Sequence, residues 1–179
     1  MASLGVIVAT LVANAPTQKR RPKIAATSFE RVLALGAALM FAALAVALGR
    51  GFGDWGRIPS LIWLHLATIG VALALTPVIL LGKRGSLWHR RLGYIWASAL
   101  MITALATFGI RTSSDGGLSP IHLLSVLTLI QLPRAIWAAR RHRVDQHRRH
   151  LQIMVAGALV LAGVFTFVPG RVLGGWLLG

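Results

Sequence analysis

The chain has 179 residues, of which 56% are hydrophobic and only 13% charged, with a mean hydropathy of +0.72. A soluble domain devotes about a quarter of its residues to charge, so this composition excludes an ordinary soluble core and points to apolar blocks that face lipid. The absence of cysteine excludes disulfides, iron–sulfur clusters, thiolate zinc sites and the C-x-x-C-H attachment of covalent haem. The net charge of +15 raises the question of nucleic acid. The basic residues, however, lie in short stretches between apolar blocks, without a basic helix face or interleaved aromatics. That pattern is topological charge with attraction to anionic lipid headgroups, and no nucleic-acid partner is expected.

Residues 2–15 are apolar but short of the roughly twenty needed to span a bilayer. Ala13-Asn14-Ala15 fits an A-x-A cleavage site, yet no positive region precedes it, and the stretch reads as an interfacial tail. Residues 16–23 (PTQKRRPK) form a basic linker. Five spans follow, at about 29–49, 60–82, 87–110, 119–139 and 148–168. Ser60 after Pro59 reads as the N-cap of the second, and Ser119-Pro120 as cap and first-turn proline of the fourth. Pro77 and Pro133 fall inside spans, where kinks are tolerated. No segment alternates as a strand would, and backbone groups in lipid must be satisfied within the segment. The expected fold is therefore an all-α polytopic membrane bundle. It divides into a tail (1–28), a first transmembrane helix and loop (29–59), a four-helix membrane domain (60–174) and a short end (175–179).

Charge orients the bundle. With five spans, one side receives Lys19, Arg20, Arg21, Lys23, Arg31, Lys83, Arg84, Arg90, Arg91, Arg140, Arg141, Arg143, Arg148 and Arg149. The other receives Arg50, Arg57, Arg111 and Arg171. The positive-inside rule then places the N-terminus in the cytoplasm and the C-terminus in the periplasm, in a bacterial inner membrane.

No acid falls centrally in a span. Glu30, Asp54, Asp115 and Asp145 lie at ends or in loops, so paired-carboxylate catalysis is unsupported, and G-x-S-x-G, H-E-x-x-H and phosphate-binding glycine loops are absent. The chemistry rests on histidine. His65 lies five residues into the second span and His122 three into the fourth, at the outer level. His89 and His147 open the third and fifth, at the inner level. His65 is expected roughly 5–8 Å below the surface of a core about 30 Å thick.

Two same-level histidines on alternate helices can supply both axial ligands of a b-type haem, one or two in all. The metal ligands would be His65 with His122 and His89 with His147, each as neutral imidazole with a nitrogen lone pair for iron. Gly70, Gly93 and Ser125 leave room near them, and Arg90, Arg91, Arg148 and Arg149 could meet propionates or lipid. The same residues also fit interfacial anchors and ordinary helix-packing positions. His142 and His150 read as solvated loop residues, with His150 a substitute for His147, and Gln131 reads as the cap of a kink. The leading expectation is an electron-transferring haem protein that serves a larger membrane complex. Its rivals are a cofactor-free accessory or assembly subunit and, third, a small-solute or proton transporter.

Over about residues 61–174 the chain resembles an uncharacterised family of bacterial membrane proteins, the domain of unknown function numbered 2306. The likeness rests on His65 with Gly70, His89-Arg90-Arg91-Leu92-Gly93-Tyr94 and Ser119-Pro120-Ile121-His122-Leu123-Leu124. It continues through Asp145-Gln146-His147-Arg148-Arg149-His150 and Thr166-Phe167-Val168-Pro169-Gly170-Arg171. It implies a membrane protein and no particular activity. In arrangement alone, His65, His122, His89 and His147 also resemble the paired histidines of di-haem transmembrane cytochromes b.

Overall fold

The computed structural model describes residues 25–110 and 120–178. The apolar tail, the basic linker and the loop holding Arg111, Asp115 and Ser119 lie outside the described residues. Every regular element among those described is helical.

Helix α1 (Ser28–Arg50) opens on a capping box. The Thr27 hydroxyl accepts from the Glu30 backbone N–H, and the Glu30 carboxylate accepts from that of Thr27, satisfying two of the donors a helix start leaves open. A 3₁₀ turn (Phe52–Arg57) leads to α2 (Ser60–Leu81), which starts one residue earlier than the sequence suggested: Pro59 is the N-cap and Ser60 the first helical residue. Ser86 caps α3 (Leu87–Gly109), its hydroxyl accepting from the His89 N–H at 3.1 Å. Helix α4 spans Pro120–Arg140.

Helix α5 runs Val144–Thr166, a full turn longer at its start than the apolar run alone implies. That turn is polar, with Asp145 placed favourably at the positive end of the helix dipole. Its middle, Val155–Leu161, widens into a π-helix. A short α6 (Val172–Leu178) folds back on α1, where Trp176 occupies the space a Cβ on Gly51 would need.

Helices α1 to α5 are long and apolar enough to cross a membrane. The principal contacts close them into a ring: each packs on the next in sequence, and the π segment of α5 returns to α1. The interior holds Leu33, Ala37, Leu73, Leu100, Leu132 and Met154, while Val32, Leu39, Val71, Ile102, Val126 and Phe165 face outward. Outward apolar side chains on every helix are what hydrocarbon as solvent requires.

Tryptophans stand at both ends. Arg141 and Arg143 stack on Trp137 at 5.2 and 4.9 Å, and Trp55 meets Trp63 edge-on at the other end. This is the aromatic belt of a membrane protein.

Candidate functional site

The ring has two polar levels. At the level where α3 ends, His65 of α2 and His122 of α4 flank α3 from its two sides. His65 Nδ1 lies 3.3 Å from the Thr107 hydroxyl, and the His122 ring packs 5.7 Å from that of Phe108. The Thr107 hydroxyl donates its one proton to the Thr103 carbonyl. With that proton so placed, the hydroxyl accepts from His65 Nδ1–H, an arrangement that leaves Nε2 with its lone pair. His122 is buried, and Ser125 and Thr128 continue the buried polar face of α4. Further along, the α2–α3 seam is tied by the Thr68 and Thr103 hydroxyls at 2.8 Å and by Trp96 Nε1 donating to Thr76 at 2.9 Å.

At the basic end the same logic recurs one helix on. His89 of α3 and His147 of α5 flank α4 and lie within electrostatic reach of each other and of Arg84. His147 Nδ1 donates to the Ala135 carbonyl of α4 at 2.9 Å, again leaving Nε2 with a lone pair. His89 Nδ1 is buried with no hydrogen-bond partner among the described residues. Gly93, one turn on and on the same side of α3, has open space where a Cβ would stand. Gly70 is different: Leu44 of α1 lies 3.7 Å from its Cβ position, so it serves the α1–α2 contact.

Beside this pair lies a buried carboxylate. Glu30 is 1% exposed. Its Oε2 accepts from Arg84 Nη2 at 2.6 Å and Arg148 Nη2 at 2.8 Å, and its Oε1 from Arg148 Nε at 3.0 Å, with the Gln152 amide at 3.4 Å. One carboxylate thus joins α1, the α2–α3 loop and α5. A buried charge survives in such a setting only when paired and hydrogen-bonded.

The sequence-selected residues fall into place unevenly. His65, His122, His89 and His147 all come to the two levels expected of them. Arg148 is committed to Glu30. Arg90, Arg91 and Arg149 are exposed. His150 is part of α5 rather than a loop residue, its Nδ1 2.7 Å from the Gln131 side-chain oxygen; Gln131 thereby links two helices. Sequence reasoning passed over Glu30 and Arg84. The signal for Glu30 was the T-x-x-E box ahead of an apolar run, an acid where every neighbouring charge is basic. Among the described residues no three His, Asp or Glu side chains converge on a metal-ion cage.

A ring of five helices with apolar side chains facing outward and its ionisable pairs gathered toward its two ends defines a polytopic α-helical membrane protein. Residues 62–175 match the family described as "Predicted membrane protein (DUF2306)", and the chain belongs to that family. No curated protein and no solved structure matches it.

Proposed function

We propose that this membrane protein holds haem b between paired histidines and moves electrons across or within the bacterial inner membrane, in service of a larger membrane complex. The observation that carries the proposal is the state of the ring nitrogens. His65 and His147 each spend Nδ1–H on a fixed acceptor, the arrangement that orients an imidazole and raises the basicity of its Nε2 toward iron. Each has a same-level counterpart on the helix across the shared neighbour, and the space beside Gly93 suits a flat ligand. Bound haem supplies a one-electron couple. The chain's own contribution would be two imidazoles per site and basic charge for propionates. Arg84, close to both inner histidines, is better placed for that last task than Arg91, which lies on the far side of α3 from His89.

Purification in detergent followed by a reduced-minus-oxidised spectrum tests this. We expect a sharp α-band that His65→Ala and His122→Ala diminish together, and His89→Ala and His147→Ala likewise. A colourless protein overturns it and leaves the second reading, a cofactor-free accessory or assembly subunit. That reading draws on the Glu30 cluster, which ties three parts of the bundle together without any ligand.

A further inference from the structure

The opposite face of α3 carries a separate feature, independent of the haem reading. Tyr94, Ile95, Ser98 and Ile102 form one wall of a groove of about 470 Å³, and Ala67 and Val71 of α2 form part of the other. Side chains advance about 100° per residue around a helix, so Arg91 points about 200° from His89, in the mean direction of Tyr94, Ser98 and Ile102. The groove therefore opens to lipid with Arg91 at its basic-end mouth. Small side chains at Ala67 and Ser98 keep it open.

Three observations say what fills it. Arg91 is exposed and pairs with no carboxylate among the described residues, since the ion pairs there use Arg57, Arg84 and Arg148. The walls are almost wholly apolar. From Arg91 to Ile102 the helix rises about 16 Å, close to half of a hydrocarbon core about 30 Å thick, which is the reach of one acyl chain. We propose that this groove binds one anionic glycerophospholipid of the basic-side leaflet, its phosphate on Arg91 and one acyl chain laid along Tyr94, Ser98 and Ile102. A second copy of this chain is a poorer occupant. Among the described residues Glu30 and Asp54 are already paired with arginines, and Asp145 lies on α5.

Native mass spectrometry of the delipidated protein, given equimolar phosphatidylglycerol and phosphatidylcholine of matched chains, tests the proposal. The expected result is one retained phosphatidylglycerol in preference to phosphatidylcholine. Arg91→Gln should weaken that adduct about fivefold, the share of one basic side chain near an anionic surface. Arg90→Gln, on another face of α3, should leave it unchanged, and Ser98→Trp should remove it by filling the groove. Equal retention of both lipids, an adduct indifferent to Arg91→Gln, or a protein dimer in place of the adduct overturns the proposal. Arg91 is exposed and pairs with no carboxylate among the described residues, so its variant decides the matter even where Ser98→Trp fails to fold.

Discussion

Glu30 and Arg148, 118 positions apart in the chain, meet through both carboxylate oxygens at 3.0 and 2.8 Å. The contact fastens the first turn of α1 to the second turn of α5, at the place where the ring of helices closes. Arg84 completes it from the α2–α3 loop at 2.6 Å. Because family membership is drawn from residues 62–175, the acid comes from a helix outside the matched segment, while both bases lie within it.

Glu30→Gln should lower stability by about 2–4 kcal/mol, toward the lower part of the range for breaking a buried pair because both arginines keep some access to water. Thermal unfolding in detergent reads the loss. Since the pair is buried, the loss should change little with added salt. Combining Glu30→Gln with Arg148→Gln should cost less than the sum of the single changes, as residues in one network do. An additive result would mean that the two side chains are not coupled.

The Trp96–Thr76 bond gives a cleaner case. Trp96 is 4% exposed and Thr76 1%, and the indole N–H can only donate. Thr76→Val keeps the shape and removes the acceptor, so it should destabilise by about 1–3 kcal/mol, the cost of a buried unsatisfied donor. Adding Trp96→Phe removes the orphaned donor and should make Thr76→Val nearly neutral in that background. Unfolding midpoints of the four proteins check this.

The number and approximate extent of the spans, and the end of the helix on which each histidine stands, were legible because both follow from local rules. A run of about twenty apolar residues bounded by Pro or Gly sets a span, and alternation of direction then sorts His65 with His122 and His89 with His147. Less legible was everything set by packing around the ring. Position along the chain put Glu30 at a helix end, which is correct, but its burial arises because α5 and the Arg84 loop converge on it. His150 read as a loop residue because a hydropathy window ends at charge, whereas α5 begins at Val144 with a polar first turn that the window leaves out. Arg90 and Arg91 looked equivalent beside His89; one residue of helix turn sends Arg91 to lipid.

Thr107 is the side chain that His65 meets at Nδ1. Thr107→Val removes the acceptor of His65 Nδ1–H while keeping the helix packing. If haem is bound there, its affinity should fall about 10–100-fold, the usual effect of losing such a partner, seen as a lower α-band per protein and faster loss of haem on dilution. Thr128→Val, on a buried part of α4 whose hydroxyl donates to the Leu124 carbonyl of its own helix, should leave the band unchanged. Equal effects of the two would point to a general loss of packing.

Orientation rests on the basic residues, and the structure adds a reason for their position. The stretch Arg140–Arg143 lies where α4 turns into α5, and Arg141 and Arg143 are held on Trp137, an anchor suited to the headgroup layer. A reporter at the C-terminus, beyond α6, should therefore stand on the side opposite this turn. Alkaline phosphatase fused after Gly179 should be active, and the same enzyme inserted between Arg141 and Arg143 should be inactive. Replacing Arg140, Arg141 and Arg143 with Gln should not invert the bundle, because Lys83, Arg84, Arg90, Arg91, Arg148 and Arg149 still mark the same side. An inactive C-terminal fusion would reverse the orientation and would move the Glu30 cluster, with His89 and His147, to the periplasmic level.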